Sequence, residues 1–256
     1  MKLPINDFKR GFKSGQLQLG LWSGLSNNVT VEVLANAGFD WLLLDTEHSP
    51  NELPQVHSQL QAMSHGKAHP IVRPQWNDTV VIKRYLDLGV QTLLIPFVQD
   101  ADEARSAVAA TRYPPLGVRG YAAAARASNY GRVKDYPTLC EAELCVLVQA
   151  ETPQALANIE AIAAVDGVDG IFIGPGDLAA SMGHIGNTKH PEVVAAIEDA
   201  IVRILACGKA AGILASDEGL ARRCIELGCT IVAVGSDVGI LARGAENLAA
   251  KFKAAA

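Results

Sequence analysis

The chain has 256 residues, of which 49% are hydrophobic, 19% charged and 5% aromatic. This apolar fraction excludes a disordered chain, because enough apolar surface can be buried to offset the entropy of the unfolded chain. With 22 basic and 27 acidic side chains, the net charge of −5 argues against nucleic acid or a membrane surface as a partner. No apolar run is long enough to span a membrane, and the N-terminus lacks the apolar core of a signal peptide.

The cysteines indicate a reducing compartment. They are odd in number and lie mostly in helix-like or strand-like runs, and neither C-x4-C pair has zinc-finger spacing with histidines behind it. The sequence therefore predicts reduced, buried thiols in a cytoplasmic protein, at Cys140, Cys145, Cys207, Cys224 and Cys229.

One local pattern recurs along the chain: an amphipathic run, then a glycine, then a short, continuously apolar run. Its glycines are Gly38, Gly89, Gly167 and Gly228. Glycine suits the position just after a helix, where the backbone becomes left-handed. A continuously apolar run is typical of a parallel strand that is buried on both faces. The pattern therefore predicts repeated βα units.

Eight strands follow from this template, with helical patterns such as 101–110 and 191–209 between them. Eight units in about 250 residues predict a closed (β/α)8 TIM barrel in which residues 1–256 form a single domain. An open, doubly wound sheet is the structural alternative, although no break divides the chain into halves. The long Gly/Pro/Ala-rich loop within 98–143 is expected to be functional or interfacial. The predicted strands are residues 17–22, 41–45, 70–73, 92–97, 144–150, 170–173, 212–215 and 231–235.

Polar residues are concentrated at the carboxyl ends of these strands, where barrel enzymes have their sites. Glu151 and Asp177 follow neighbouring strands, so their carboxylates should converge. Two carboxylates suit a hard divalent cation such as Mg²⁺ or Mn²⁺, which prefers oxygen ligands and keeps coordination positions open for water. The alternative is that each carboxylate only caps the helix that follows it.

Arg73 and His48 belong to the same predicted rim. Arg73 closes an apolar strand, and its guanidinium could hold a carboxylate or neutralise a forming oxyanion. It could equally form a structural ion pair with Asp45 or Glu47. His48 follows Asp45 by three residues, so Asp45 could orient the imidazole as a base near neutral pH. A solvated or capping histidine is the alternative.

The turn GPGDLA at 174–179 resembles a dinucleotide-binding fingerprint, but Asp177 would repel a pyrophosphate. The acidic strand end expected about 20 residues later is also missing. The glycines of the turn leave backbone N–H groups at the start of a helix, which suit a small carboxylate. Since no predicted strand ends in lysine, a Schiff-base mechanism is disfavoured.

Taken together, these segments resemble the HpcH/HpaI family of metal-dependent pyruvate aldolases, in the branch of 4-hydroxy-2-oxoheptanedioate and 2-dehydro-3-deoxyglucarate aldolases. The resemblance runs nearly end to end. It implies a class II aldolase that reversibly cleaves a 4-hydroxy-2-oxo acid into pyruvate and an aldehyde through a metal-stabilised pyruvate enolate. The matching segments include GLWSGLS at 20–26, LLLDTEHSP at 42–50, IVRPQWND at 71–78, VLVQAET at 146–152 and GVDGIFIGPGDLAASMG at 167–183.

The resemblance also implies roles for individual residues. Glu151 and Asp177 match metal ligands for Mg²⁺, Mn²⁺ or Co²⁺, Arg73 matches the arginine at the enolate oxygen, and His48 with Asp45 matches a proton-transfer dyad. One departure is Gly176, where close relatives often carry alanine. The implied substrate-binding positions are Trp22, Arg73, Gln149, Gly176, Asp177 and Leu214, together with Asp87, which would reach the site of a neighbouring subunit.

The family fold is a (β/α)8 barrel of the phosphoenolpyruvate/pyruvate type. Its C-terminal helix is exchanged between subunits, and the subunits form a homo-hexamer built as a dimer of trimers. The individual character of the loop at 121–130 leaves the aldehyde partner open.

Two other hypotheses remain at the level of sequence. Gly235 and Ser236 follow the last predicted strand, where many barrels bind phosphate, so an isomerase or lyase acting on a phosphorylated substrate is possible. The other is a metal-binding or scaffolding barrel without turnover, which the crowded polar rim disfavours.

Overall fold

The computed structural model describes residues 1–253, within which eight parallel strands close into a barrel in chain order. The predicted fold class is confirmed, and each predicted strand lies within two residues of an observed one. The strands are β1 (Gln18–Ser23), β2 (Trp41–Asp45), β3 (His69–Arg73), β4 (Thr92–Ile95), β5 (Cys145–Ala150), β6 (Gly170–Ile173), β7 (Ala210–Leu214) and β8 (Ile231–Ser236).

Helices surround the barrel, and several begin at a side-chain cap. The aspartate at 100, for example, accepts from the amides of Asp102 and Glu103 at the start of α5. The four glycines of the recurring pattern have φ between +89° and +105°, as predicted for residues that end helices. The helices are α1 (Asp7–Lys13), α2 (Asn28–Leu34), α3 (Leu53–Ala62), α4 (Thr79–Asp87), α5 (Ala101–Thr111), α6 (Tyr136–Glu143), α7 (Pro153–Ala157), α8 (Ile159–Ala163), α9 (Pro175–Ser181), α10 (Pro191–Ala206), α11 (Glu218–Glu226) and α12 (Asp237–Lys253).

The interior of the barrel is filled by aromatic and aliphatic side chains. Trp41 and Phe172 meet there edge to face, with ring centroids 6.5 Å apart. Glycines make room for both rings: a Cβ atom at Gly20 would lie 2.1 Å from Trp41, and one at Gly212 would lie 2.4 Å from Phe172. The aromatic core therefore depends on glycine at these two strand positions.

The amino-terminal end of the barrel, called the lower end below, is closed by α1. The Phe8 ring of this helix stacks on His69 at the start of β3, with centroids 5.5 Å apart. Burial lowers the pKa of His69 to about 4, so this imidazole is neutral at physiological pH. Aromatic side chains of α1 thus close the lower end of the barrel. The opposite end, at the carboxyl ends of the strands, is called the upper end.

The long loop predicted to be functional or interfacial lies at the lower end. It connects α5 to α6 and contains a short 3₁₀ turn, Arg126–Ser128. Arg126 donates to the carbonyl of Leu88, just after α4. Because helices of a βα barrel run antiparallel to its strands, this contact is at the opposite end from the carboxyl ends of the strands. Within one subunit, the loop therefore does not line the upper end.

The C-terminal helix α12 packs little of its length against the rest of the subunit. Among its residues 237–253, only Asp237 is buried. Its exposed apolar side chains include Leu241, Leu248 and Phe252. Exchange of this helix between subunits remains a prediction at this point.

Two further findings concern membrane-spanning helices and the cysteine thiols. Across residues 1–253, no helix is both long enough and apolar enough to cross a membrane. The five cysteines have free thiols, and all except Cys207 are buried.

Candidate active site

Arg73 is the centre of a charged cluster at the upper end of the barrel. In the pairing of β2 with β3, Asp45 lies directly beside Arg73. Arg73 Nε and Nη2 donate to the two Asp45 carboxylate oxygens at 2.9 and 2.7 Å, and Nη1 lies 2.9 Å from Glu47 Oε2. Such a bidentate, buried pair fixes the guanidinium in one orientation.

These contacts determine the charge states of the two acids. Burial disfavours the ionised form of Asp45, but the hydrogen bonds and charge of Arg73 outweigh it, and the pKa of Asp45 is lowered. For Glu47 the balance is reversed: burial raises its pKa despite the opposing charge of Arg73. Arg73 thus serves first as the counter-ion of Asp45.

Trp22, a predicted substrate-binding residue, holds the same pair from the β1 side. Its indole Nε1 donates to Asp45 Oδ2 at 3.3 Å, and its ring lies 5.1 Å from Arg73 Cζ. The ring also packs against Phe172, with centroids 5.7 Å apart. The cation–π contact between Trp22 and Arg73 leaves the guanidinium little freedom to move.

Glu151 follows β5 and is almost completely buried, with 1% of its surface exposed. Its Oε1 accepts from the backbone N–H of Phe97 at 2.9 Å, and its Oε2 accepts from the side-chain amide of Gln149. A Cβ atom at Gly174 would lie 2.4 Å from Glu151 Oε2, so the start of the β6–α9 turn must be glycine to leave room for this carboxylate. The GPGD turn and Glu151 are therefore packed against each other.

Burial, together with the charges of Asp177 and Glu47, raises the pKa of Glu151 to about 7 against the opposing hydrogen bonds from Gln149 and the Phe97 backbone. Asp177 is exposed in the first turn of α9. The electrostatic coupling supports the predicted convergence of Glu151 and Asp177.

The donor set fits a hard divalent cation. The available atoms are oxygens, and the Oε1 of Gln149 is buried without a hydrogen-bond partner among the described residues. Three carboxylates, those of Glu47, Glu151 and Asp177, repel one another, and a cation among them would relieve that repulsion. Glu151 and Asp177 are the residues that would hold it.

Phe97 was predicted to end β4, but the strand stops at Ile95. Phe97 has φ +54°, a left-handed conformation that is rare for a residue with a side chain. This conformation directs its N–H to Glu151, and its ring stacks on Trp76 with centroids 5.7 Å apart. A residue read as strand thus positions a candidate metal ligand, which an apolar pattern could not reveal.

The His48 ring does not contact the Asp45 carboxylate in this structure, in which only the backbone N–H of His48 approaches Asp45 Oδ1, at 3.5 Å, so the dyad remains a prediction. The Asp45 carboxylate already accepts from Arg73, Trp22 and the backbone of Glu47. The His48 side chain is 63% exposed, and its Nε2 lies 3.8 Å from Glu47 Oε2. His48 still stands at the rim, with its ring free to face a substrate.

Glu47 was considered in the sequence only as an ion-pair partner of Arg73. The structure confirms that contact and adds Glu47 to the electrostatic environment of Glu151. The available signal was the spacing in DTEHS, since residues 45 and 47 of an extended segment point to the same side.

The remaining predicted residues are divided between the two ends of the barrel. Leu214 ends β7 and packs against the interior cluster, near Trp22. Gly176 lies at the start of α9, and no described atom lies within 4 Å of a Cβ placed there, so the alanine of relatives would fit. Asp87 ends α4 at the lower end, where Arg119 donates to it at 3.2 Å. Asp87 therefore cannot reach the site of its own subunit.

The position proposed for phosphate, after β8, holds a carboxylate. Asp237 is buried and accepts from Ser23 Oγ at 2.9 Å and from the amides of Gly24 and Leu25 at 2.9 and 3.2 Å. These donors are the groups that a phosphate would need, and the negative charge of Asp237 would repel it. The geometry does not favour a phosphorylated substrate.

Comparison with known proteins agrees with these observations. A family model described as HpcH/HpaI aldolase/citrate lyase matches residues 18–244. The chain is 58% identical over 252 residues to a protein of Rhizobium etli named pyruvate aldolase, covering 98% of this chain and 99% of the relative. It is 59% identical over 250 residues to a 4-hydroxy-2-oxo-heptane-1,7-dioate aldolase of Salmonella paratyphi A, covering 97% and 95%. The crystal structure of an HpcH/HpaI aldolase/citrate lyase family protein from Burkholderia cenocepacia J2315 superposes with a TM-score of 0.93 at 37% identity, covering 97% of this chain and 99% of that chain.

The raised pKa of Glu151 predicts how cation binding depends on pH. A cation must displace the proton of Glu151, so we expect Mn²⁺ affinity to fall about tenfold per pH unit below about 7 and to level off above it. Electron paramagnetic resonance of free Mn²⁺ measures this directly, and Glu151→Gln should weaken the binding and remove its dependence on pH near 7. An affinity that is the same on both sides of pH 7 would contradict the assignment.

The backbone of Phe97 gives a second prediction. Valine tolerates a left-handed backbone poorly, so Phe97→Val should turn the N–H away from Glu151 and weaken Mn²⁺ binding about tenfold. Phe97→Gly is the matched control, because glycine keeps the conformation while losing the ring. Equal losses in the two variants would show that the ring, and not the N–H, matters.

Proposed function

Since this chain belongs to the HpcH/HpaI aldolase/citrate lyase family and is therefore a carbon–carbon lyase, we propose that it cleaves a 4-hydroxy-2-oxo acid to pyruvate and an aldehyde. The observation that carries this proposal is the placement of Arg73 beside an oxygen-only carboxylate cluster at the upper end of the barrel. The names of the relatives from Rhizobium etli and Salmonella paratyphi A support pyruvate as the shared product.

The parts of the site have distinct tasks in this reaction. A divalent cation bound by Glu151 and Asp177 supplies a Lewis acid for the 2-oxo group. The amides of Gly176 and Asp177, in the first turn of α9, can donate to the substrate carboxylate, because the first N–H groups of a helix lack intrahelical acceptors. Arg73 faces the 2-oxo oxygen and neutralises the charge that develops on it.

His48 is the proposed base. Its exposed imidazole takes the proton of the C4 hydroxyl, the C3–C4 bond breaks, and the bonding electrons remain on C3 to give the pyruvate enolate and the aldehyde. A proton delivered to C3 then completes pyruvate. Synthesis runs the same steps in reverse. Trp22 and Leu214 border the space for the aldehyde.

Deuterium exchange into the methyl group of pyruvate in D₂O tests the enolate step without a choice of aldehyde. We expect NMR to show exchange that EDTA abolishes and Mg²⁺ or Mn²⁺ restores. Arg73→Ala should slow it about 100- to 1,000-fold, the loss typical of one oxyanion donor. Exchange that survives EDTA would overturn the roles of Glu151 and Asp177.

Arg73 also neutralises buried Asp45, so its removal could unfold the chain. Arg73→Lys keeps the charge without the fork, and Mn²⁺ binding checks that the carboxylate cluster persists. Slow exchange with intact Mn²⁺ binding supports a role in the reaction. Full-rate exchange in a folded Arg73→Ala protein would remove Arg73 from the mechanism.

We also propose that α12 packs against a second copy of the chain, within the homo-hexamer that the family resemblance implies. Leu241, Ala245, Leu248 and Phe252 recur at helical spacing and form one apolar, exposed stripe. A stripe of this kind is normally covered. In such an assembly Asp87, on the lower end of one subunit, would contribute to the site of its neighbour.

The apolar stripe predicts that a charge at Leu248 breaks the assembly. Leu248→Glu should lower the mass measured by sedimentation equilibrium, because an ionised carboxylate cannot be buried in an apolar contact. Lys251→Glu, on the same helix but outside the stripe, is the control. A monomeric wild-type protein, or an unchanged mass for Leu248→Glu, would contradict the proposal.

A further inference from the structure

A second group of metal-ligating side chains lies outside the site described above. It consists of His184, His190 and Glu192, in the segment that connects α9 to α10 and in the first turn of α10. One ligand atom from each residue lies within 4.8 Å of the other two.

The backbone brings these residues together. After α9, the chain turns through Gly183, whose φ is +84°, and the amide of His184 donates back to the carbonyl of Ala179 at 2.7 Å. His190 caps α10 by accepting from the amide of Glu192 at its Nδ1. Two local helix-end structures therefore define where the imidazoles stand.

The side chains are in direct contact. The rings of His184 and His190 stack with centroids 3.5 Å apart, and His184 Nε2 lies 3.0 Å from Glu192 Oε2. The stack therefore holds a ring nitrogen of each histidine within 4.8 Å of the other, close enough for both to bind one metal ion. Capping α10 requires one imidazole and does not explain the second.

The ligand types select the metal. Two imidazole nitrogens and one carboxylate are the donors that Zn²⁺ and similar transition metals prefer, whereas Mg²⁺ prefers oxygen. Lys189 is the nearest cation in sequence, and Asp217 neutralises it. Glu192 is 70% exposed, so a metal can enter from solvent, and the partly exposed rings can turn towards it.

We propose that His184, His190 and Glu192 form a transition-metal site, typified by Zn²⁺, which is separate from the oxygen site of Glu151 and Asp177. A metal there would clamp the segment between α9, which carries Asp177, and α10. The site does not depend on the proposed aldolase chemistry, because its ligands are distinct from every residue used in that mechanism.

Zinc titration of the metal-free full-length protein, in competition with a chromophoric chelator, tests the proposal. The titration uses the Glu151→Gln variant, in which the oxygen site is weakened. We expect it to bind one Zn²⁺ per chain with a dissociation constant in the micromolar range. His184→Ala should weaken this binding about tenfold or more. His190→Asn should do the same while keeping the helix cap, because asparagine caps helices well. His65→Ala, which removes an exposed histidine elsewhere, should change nothing.

The absorption spectrum of bound Co²⁺ distinguishes binding at this site from binding to the cysteine thiols. Cysteine ligands give intense charge-transfer bands, whereas imidazole and carboxylate ligands do not. Binding without these bands, lost in both histidine variants, supports the site. Zn²⁺ binding that survives in folded His184→Ala and His190→Asn proteins, or its absence at micromolar zinc in the Glu151→Gln protein, would overturn it. Thermal melts of each variant verify folding.

Discussion

The upper end of the barrel is organised by an excess of carboxylate over cationic charge. Asp45 and Glu47 contact the buried guanidinium of Arg73, and Asp177 adds a further negative charge that acts on both Glu47 and Glu151. Arg73 pairs with Asp45 and lies beside Glu47, whereas burial, together with the charges of Asp177 and Glu47, raises the pKa of Glu151 to about 7, a change worth roughly 3 kcal/mol. The guanidinium of Arg73 forms its bidentate contact with Asp45 and not with Glu151. The Glu151 carboxylate is therefore available to a bound cation. The excess of carboxylate charge at the upper end therefore connects the fold of the barrel with the cation chemistry expected of its site.

The barrel makes this imbalance possible by pairing strands in a fixed register. Asp45 lies beside Arg73 because β2 and β3 pair in parallel, and Ala150 lies beside Ile173, which brings Glu151 next to Gly174. The interior is filled by apolar and aromatic side chains, and α1 closes the lower end. Charges placed above such a core are only partly screened by water, so each contact among them has a large effect.

In the proposed assembly the two ends of one subunit have different partners, and the charged cluster would be completed by a second copy. Asp87 and the long loop stand at the lower end, while the candidate site stands at the upper end. The apolar stripe of α12 supplies the surface through which copies could associate. The histidine pair beside α10 differs in ligand chemistry from the carboxylate cluster, so the two would select different metals.

The sequence by itself determined the barrel and the end of it at which the candidate site residues lie, because βα repetition, terminal glycines and polar strand ends are local patterns. It also determined that Glu151, Asp177 and Arg73 belong to one rim, since every strand of a parallel barrel ends on the same side. Tertiary structure decided how these groups pair. Asp45 pairs with Arg73 and not with the His48 ring, because the register of β2 and β3 places the guanidinium directly beside the carboxylate. Tertiary structure also placed Phe97 in a left-handed turn whose N–H donates to Glu151, a contact between distant segments that no local pattern records.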